Sequence, residues 1–253
     1  MNLVLLGGAD ATHFPAGTPQ AEHLLRVLKI AVGETFWCGV KNGVRGLATV
    51  LAISPDGAIS FSVEWEKGVV FSPPPVRILV GLSRPQTMKK IFAAASEIGC
   101  SRIDVFRSGK GDPAYAESSL WKPGDSTLAD ILKKSAEQTC VPVLPEFRFF
   151  ASLKDFIESE NALAGTLRLA LDVYANQKSL AETAFPPDAE VLLAIGSERG
   201  WSDDERAQLR AGGFVFAHLG ERVLRVETAV SVALAVALSK TNVWQRAHRA
   251  ILR

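Results

Sequence analysis

The sequence predicts a small antiparallel β domain followed by a larger α/β domain with a parallel sheet. Short alternating apolar runs, separated by Gly, Asn and Asp turn residues, fill the first part of the chain. Strand-like and helix-like runs alternate in the second part. Three consecutive prolines at positions 73–75 lie between the two patterns, and such a run favours an extended linker. We therefore predict domains at residues 1–72 and 73–253.

The first domain is expected to consist of β hairpins. Residues 35–40 and 58–65 alternate between apolar and polar side chains, and turn signals at 41–43 and 54–57 follow or precede them. Closure into a small barrel is the natural arrangement of such hairpins. One helical segment, residues 20–29, interrupts the pattern with a broad apolar face of Leu24, Leu25, Val27 and Leu28.

The second domain is expected to contain a parallel sheet. Strands are predicted at residues 76–80, 102–106, 141–147, 166–173 and 191–195, and helices at 87–98, 127–139 and around 202–211. Parallel sheets bind ligands in the loops at the carboxyl ends of their strands. The residues that follow each strand are therefore the first candidates for a functional site.

Composition excludes several other classes of protein. Hydrophobic residues make up 47% and charged residues 22%, which predicts a globular fold. The longest apolar stretch, residues 228–238, has about half of the roughly 20 residues that a membrane span needs, and residues 1–8 are too short for a signal-peptide core. Cys38, Cys100 and Cys140 match no metal or redox spacing and are interpreted as buried reduced thiols, which favours a cytoplasmic setting.

Net charge gives no sign of a polyanionic partner for the chain as a whole. The formal net charge is +1, so any contact with nucleic acid must come from a local patch. Scattered basic side chains either form such a patch or simply solvate the surface. The candidates are Arg26, Lys29, Lys41, Arg45, Lys89, Lys90, Arg107, Lys110, Lys133 and Lys134, and the tail from Trp244 to Arg253 is a candidate basic helix end.

The first candidate site is the turn at residues 195–200, which reads I-G-S-E-R-G after an apolar strand. Its glycines permit close approach of a ligand to the backbone. Ser202 and Glu205 form an S-x-x-E capping box, which predicts a helix N-terminus beside the turn. Ligand binding and an ordinary strand-to-helix turn are both compatible with this run.

The second candidate site is the loop at residues 219–229, which reads L-G-E-R-V-L-R-V-E-T-A. Arg222, Arg225 and Glu227 lie in an otherwise apolar region, so at least one of these charges is expected to be buried or paired. A structural Arg–Glu pair is the alternative to a functional role.

Together the two runs resemble the signature motifs of the RsmE-type family of SPOUT RNA methyltransferases. In that family a strand ends in I-G-P-E-G-G, and a loop about twenty residues later reads L-G-x-x-I-L-R-x-E-T-A. Weaker resemblance to other family segments extends over residues 22–29 with Gly33, 95–100 and 135–139. The matching segments follow one another in order along nearly the whole chain.

The resemblance implies an enzyme that transfers a methyl group from S-adenosylmethionine to N3 of a uridine in small-subunit (16S) ribosomal RNA. It implies a PUA-like β-barrel domain for RNA positioning at 1–72, a SPOUT trefoil-knot α/β domain at 73–253, and a homodimer formed through the knotted domain. No metal is implied. The residues that it assigns to the cofactor are Leu171, Ile195, Gly196, Gly200, Leu219, Gly220, Val223, Leu224 and Thr228.

Three charged residues are the candidates for catalysis. Uridine N3–H is weakly acidic, so a general base or a cation that stabilises the anion accelerates methylation. On the family match, Arg225 is the candidate cation, Glu227 its orienting partner, and Glu198 an acid–base or pocket group. Structural pairing of these charges is the alternative.

The sequence departs from the family motifs at several positions. Ser197 and Arg199 replace a proline and a glycine, and Ala94 and Val141 stand where the family has basic residues. Arg199 is compatible with three orientations: into solvent, towards a phosphate, or into the cofactor space. These departures support an alternative function, a knotted RNA-binding protein with lost or altered catalysis or a different RNA target.

Overall fold

A computed structural model of the chain describes residues 3–69, 71–160, 165–175, 178–186, 189–241 and 243–244. The chain forms two compact units, Met1–Ser72 with Lys133–Leu144, and Pro73–Leu132 with Pro145–Arg253. Lys133–Leu144 therefore packs with the first unit, whereas the sequence pattern placed it in the second domain. The candidate basic helix end at 245–253 lies outside the described residues.

The first unit contains a five-stranded sheet with the order β1-β3-β4-β5-β2. Both predicted hairpins are present, with Asn42 (φ 54°) and Gly57 (φ 93°) in their turns. The expectation of wholly antiparallel pairing is wrong at β1, which runs parallel to β3. Parallel neighbours need a crossover connection, and residues 7–34 supply one with their helical segment. The strands are β1 (Leu3–Leu6), β2 (His13–Phe14), β3 (Thr35–Val40), β4 (Arg45–Ile53) and β5 (Ile59–Trp65).

An aromatic core holds this first sheet against its helical segment. The helix predicted at 20–29 is a short α1 (Pro19–Glu22) that continues as a π-helical turn, His23–Val27. The Phe61 ring lies 4.8 Å from that of Phe14 and 5.5 Å from that of Phe36, between ring centroids. Leu24, which is fully buried, belongs to the same core. Apolar burial at these positions explains why the alternating pattern was visible in the sequence.

Arg45 is a buried structural cation in the first unit and not a surface group. Its guanidinium donates to both carboxylate oxygens of Glu66, at 2.8 and 2.7 Å, and to the Cys140 carbonyl at 2.9 Å. It also stacks on the Trp37 ring, 4.8 Å from the centroid. Because its donors are engaged inside the fold, the interpretation of Arg45 as a candidate RNA contact is wrong.

The second unit contains a six-stranded sheet with the order β11-β9-β10-β6-β7-β8 in which every pair is parallel. The predicted α/β class is therefore confirmed. The strand predicted at 141–147 is wrong: it begins at Glu146, because Pro142 and Pro145 have no N–H to donate to a sheet. The strands are β6 (Val76–Gly81), β7 (Arg102–Phe106), β8 (Glu146–Phe150), β9 (Leu167–Leu171), β10 (Val191–Ile195) and β11 (Val215–Ala217).

Helices cover the second sheet, and α2 packs against α6. The sequence pattern did not predict α4, which Ser152 caps through its side chain. Within the described ranges, no helix is long and apolar enough to cross a membrane. The helices are α2 (Pro85–Ile98), α3 (Thr127–Thr139), which belongs to this unit up to Leu132, α4 (Leu153–Ser159), α5 (Asp203–Ala211) and α6 (Val226–Lys240).

The three cysteines are buried, as the sequence predicts. Burial raises the pKa of the Cys38 and Cys100 thiols to about 12. Both thiols therefore stay protonated at neutral pH, and a protonated thiol is a poor nucleophile and metal ligand. Their role in the protein is packing.

A buried carboxylate, Glu160, joins three arginines from neighbouring strands of the second unit. It accepts from Arg77 at 2.6 Å, from Arg102 at 2.7 Å and from Arg148 at 2.7 Å, and only 4% of its side chain is exposed. Burial by itself raises the pKa of this carboxyl, but the hydrogen bonds from Arg148 and Arg77 outweigh burial and hold the pKa below its usual range. Glu160 is thus the shared anion of strands β6, β7 and β8.

We predict that Glu160→Gln destabilises the protein by up to about 3–5 kcal/mol, because it removes the carboxylate that the three arginines share and leaves them only Asp104 and Glu190 as counter-charges. A lowered folded-state pKa stabilises the fold above the unfolded-state pKa, and this stabilisation is lost as the pH falls through the folded-state pKa. The wild type should therefore lose stability on acidification more steeply than the variant. Denaturant unfolding across a pH series measures both effects.

Glu158→Gln is the matched control, since Glu158 lies in the last turn of α4, just before the C-cap Glu160, but is exposed and pairs with Lys154, at 3.8 Å. Its removal should change the free energy of unfolding by less than about 1 kcal/mol. Equal changes in the free energy of unfolding for the two variants would contradict a stabilising role of the Glu160 cluster.

Candidate functional site

A cavity of about 900 Å³ lies at the carboxyl ends of β6, β9, β10 and β11 in the second unit. Loops that follow these four strands line it, together with the first turns of α2 and α6. This is the position at which open parallel sheets bind ligands. The cavity also contains the turn at 195–200 and most of the loop at 219–229, the two runs that the sequence singled out.

The tight turn after β10 requires glycine at the end of β6 and within the turn itself. A Cβ added at Gly81, at the end of β6, would lie 2.5 Å from the Ser197 nitrogen, and one added at Gly196 would lie 3.1 Å from the Gly200 carbonyl carbon. Gly200 itself has a φ of 69°, which disfavours other residues. A Cβ on Gly200 would meet no atom within 4 Å, so the space beside it is open towards a ligand.

Arg199, unlike Gly200, does not require a positive φ angle. The described non-glycine residues with positive φ are Lys29, Asn42 and Cys140, so the Arg199 backbone lies in the ordinary region of conformational space. Its side chain is exposed and lines the cavity. The turn therefore accepts a large cation at this position without backbone strain.

Trp201 and Glu205 fix the far side of the turn. The Trp201 ring is 2% exposed, stacks on Phe106 with centroids 5.7 Å apart, and donates its Nε1–H to the Leu171 carbonyl at 2.9 Å. Ser202 and Glu205 form the predicted capping box, and the second carboxylate oxygen of Glu205 accepts from the Gly109 N–H at 2.9 Å. These contacts tie the loops after β7, β9 and β10 to one another.

Each carboxylate that lines the cavity is paired with a cation. Buried Asp172 accepts from Arg206 at 2.7 Å, and this hydrogen bond raises the pKa of Arg206. Glu198 accepts from the Thr87 hydroxyl at 3.0 Å and lies 3.8 Å from the Arg84 Nε. The third pair joins Glu227 to Lys90, at 3.5 Å.

Four further cations line the cavity without a carboxylate partner among the described residues: Lys110, Arg199, Arg222 and Arg225. All four are exposed. Because the three carboxylates are already paired, the cavity carries a net positive charge although the chain as a whole is nearly neutral. A cavity with a net positive charge attracts an anionic ligand.

Ten of the twelve residues that the sequence analysis named for the site line this cavity. Gly220 and Thr228 do not. Gly220 has a φ of 100° and donates its N–H to the His218 Nδ1 at 3.0 Å, and Thr228 is exposed on α6. The ten are Leu171, Ile195, Gly196, Glu198, Gly200, Leu219, Val223, Leu224, Arg225 and Glu227.

The expected pairing of Glu227 with Arg225 is not present among the described residues. Arg225 is the N-cap of α6, with extended backbone angles, and Glu227 lies in the first turn of the helix. Residues two apart at a helix start point in different directions. Glu227 instead faces α2, where it pairs with Lys90.

Sequence reasoning missed several polar residues of the cavity. Asp172 and Arg84 come shortly after β9 and β6, so a systematic reading of every strand end would have found both. Arg206 lies on a helix, where nothing in the local pattern indicates that it faces the cavity, and Lys90 was named only as a candidate contact for nucleic acid. Across the ranges described, no group of three or more His, Cys, Asp or Glu side chains is placed to hold a metal ion.

The fold and the cavity define an α/β protein with a positively charged cavity at the carboxyl edge of a parallel sheet. A family model described as an RNA methyltransferase domain matches residues 71–238, and the chain belongs to this family. Two curated relatives are named ribosomal RNA small subunit methyltransferase E. The protein from Treponema pallidum is 29% identical over 97% of this chain and 94% of its own length, and that from Synechocystis is 28% identical over 86% and 70%.

Solved structures of similar fold agree with this family. The ribosomal RNA small subunit methyltransferase E from Neisseria gonorrhoeae, bound to S-adenosylmethionine, has a TM-score of 0.77 at 19% identity and covers 94% of this chain and 97% of its own. A methyltransferase from Legionella pneumophila with bound cofactor has a TM-score of 0.73 at 22% identity, with 94% and 96% covered. The predicted RsmE-type family is therefore confirmed.

We predict that Gly81→Ala destabilises the second unit by about 1–3 kcal/mol, because its Cβ would collide with backbone that has no room to move. Thermal and denaturant unfolding measure the loss. Gly109→Ala is the matched control: its Cβ would lie 3.9 Å from the nearest atom, Glu205 Oε1, so it should be nearly neutral. Equal stability of the two variants would contradict the close packing at Gly81.

Proposed function

We propose that the protein methylates N3 of a uridine in small-subunit (16S) ribosomal RNA, with S-adenosylmethionine as the methyl donor. The observation that carries this proposal is the cavity of the RNA methyltransferase domain, in which a glycine turn and an excess of unpaired cations lie together. The curated relatives are named for activity on ribosomal RNA of the small subunit. A net positive cavity suits an RNA substrate, whose phosphates supply much of its affinity for proteins.

The cavity fits the cofactor in size and in chemistry. A volume of about 900 Å³ lies at the upper end of the usual range for ligand sites. Leu171, Ile195, Leu219 and Leu224 offer apolar contacts, and the open space beside Gly200 permits approach to the backbone. We assign the cofactor to these residues with Gly196, Gly220, Val223 and Thr228, as the motifs indicate. The bound cofactor supplies an electrophilic methyl group, so the protein has only to align and deprotonate the base.

Arg225 and Glu198 are the residues that we assign to the chemistry. Arg225 is exposed, has no carboxylate partner among the described residues, and lies at the N-terminus of α6, whose positive end adds to its potential. It would stabilise negative charge on the uracil ring as N3 loses its proton. Glu198 would accept that proton, while Thr87 and Arg84 orient its carboxylate. Glu227 acts indirectly, by holding Lys90 beside the cavity.

The architecture of the whole chain follows from the same assignment. We propose that the second unit is a SPOUT trefoil knot, that the first is a PUA-like β-barrel domain for RNA binding, and that the protein works as a homodimer in the cytoplasm. The ordered motifs and the fold shared with the Neisseria gonorrhoeae enzyme support this proposal. The alternative, an RNA-binding protein with lost or altered catalysis or a different RNA target, rests on Arg199, Ala94 and Val141. The unstrained backbone at Arg199 favours the active enzyme.

Deletion of the gene tests the substrate directly. We expect one 3-methyluridine to disappear from small-subunit ribosomal RNA and to return when the gene is restored, which mass spectrometry of nuclease digests measures. If every ribosomal RNA methylation persists in the deletion strain while the protein still co-purifies with RNA, the alternative is correct.

Arg225→Gln should lower kcat about 100-fold, because it removes the charge that stabilises the developing anion. Affinity for S-adenosylmethionine, measured by calorimetry, should stay within about twofold of the wild type if the residue acts on the base and not on the cofactor. Lys154→Gln, which removes an exposed charge on α4, is the control and should leave kcat unchanged. An unchanged kcat in Arg225→Gln would remove this residue from the mechanism.

A further inference from the structure

A small side pocket adjoins the main cavity on the side of β6 and β7. It has a volume of about 150 Å³ and shares Arg84, Lys110, Ser197, Glu198 and Arg199 with the main cavity. The two spaces are therefore neighbours along the turn that follows β10. The remaining lining residues of the side pocket are Leu82, Gly111, Asp112 and Tyr115.

The charges of the side pocket leave one net positive charge. Glu198 is balanced by Arg84, with 3.8 Å between the carboxylate oxygen and Nε. Asp112 accepts from the Ala114 N–H at 3.0 Å and, like Lys110 and Arg199, has no ion-pair partner among the described residues. Two unpaired cations therefore face one unpaired carboxylate. The resulting balance matches the single negative charge of a phosphodiester better than the double charge of a terminal phosphate.

The loops that carry the two unpaired cations are tied to each other. Ser108 donates its hydroxyl to the Ser197 Oγ at 3.3 Å, which joins the loop after β7 to the turn after β10. The Ser108 Oγ also accepts from the Lys110 N–H at 3.4 Å. Arg84, which also lines the pocket, donates its Nε–H to the Tyr115 hydroxyl at 3.0 Å. The loops that carry Lys110 and Arg199 are therefore held together before a ligand arrives, which reduces the entropic cost of ordering them on binding.

We infer that this side pocket, between Lys110 and Arg199, binds a phosphodiester group of the RNA next to the target nucleotide. The inference rests on the proposed function, because it places the reacting base in the adjoining main cavity. Arg199 is then a positioning residue of this chain: its guanidinium donates to the phosphate oxygens and sets the register of the RNA.

The cofactor carboxylate is the other anion that this chemistry fits, and the strand order argues against it. The apolar residues assigned to the cofactor follow β9, β10 and β11, whereas Lys110 follows β7. In the order β11-β9-β10-β6-β7-β8, strand β6 separates Lys110 from the strands that carry these apolar residues, while Arg199 lies in the turn after β10. Both cations are also exposed, as suits a long substrate that approaches from solvent.

The test compares Lys110→Gln, Arg199→Gln and the double variant with Lys154→Gln, which removes one exposed charge away from both pockets. Affinity for a 16S ribosomal RNA transcript is measured by fluorescence anisotropy across a salt series. Each pocket substitution should weaken binding roughly three- to tenfold and lower the slope of log affinity against log salt by about one unit. Calorimetry with S-adenosylmethionine alone should show unchanged cofactor affinity, and Lys154→Gln should match the wild type in every measurement.

Two results would overturn the inference. One is a double variant whose RNA affinity and salt slope equal those of Lys154→Gln. The other is a double variant that loses cofactor affinity without RNA while its salt slope is unchanged, which assigns the pocket to the carboxylate. Failure of the proposed function gives a different result, because the wild type then methylates no uridine in 16S ribosomal RNA. The salt dependence of RNA binding would still show whether Lys110 and Arg199 contact phosphate.

Discussion

The close approach of two backbone segments, at Gly81 and Ser197, is the constraint on which the site depends. The end of β6 leaves no room for a side chain where the turn after β10 passes over it. This contact forces the turn to double back through Gly196 and Gly200, where a bridge joins Ser197 to Gly200. As a result, Glu198 and Arg199 project from a short, tightly held loop. A larger residue at position 81 would displace both, although it touches neither side chain.

The pairing of charges explains how a nearly neutral chain contains a basic site. Elsewhere in the second unit, the buried carboxylates Glu160 and Asp104 form ion pairs with several arginines. In the cavity, by contrast, the three carboxylates are each matched with one cation, and four cations have no carboxylate partner in the part of the chain that the structure describes. Net charge counts all these groups equally and therefore hides the difference. What matters for an anionic ligand is which cations lack a partner.

The sequence predicted those features that depend on local pattern. The parallel strands were visible because buried strands read as continuous apolar runs, and Gly196 and Gly200 were visible because a tight turn demands glycine. The Ser202–Glu205 capping box was found for the same reason, since both partners lie within one helical turn. These are interactions between residues close in sequence.

The sequence did not predict the partners that come from distant segments. Glu227 lies two residues from Arg225 but pairs with Lys90, because packing of α6 on α2 decides which side chains meet. The local sequence does not distinguish Arg45 from a surface arginine, because its partners, Glu66 and the Cys140 carbonyl, come from distant segments. The start of β8 was misplaced because apolar residues on both sides of Pro145 suggested one strand. Such errors follow from tertiary contacts that a local pattern does not contain.

Arg199 shows how a departure from a family motif is tolerated. In the motif a glycine occupies this position, and glycine is required only where a backbone conformation or a close approach demands it. Here the close approach of the backbone requires glycine at position 196 and the positive φ requires it at position 200, whereas position 199 accommodates a side chain. Since that side chain points from a rigid turn into a space that already holds Lys110, the substitution adds charge to the site without altering its scaffold. Its effect is therefore expected on the ligand and not on the fold.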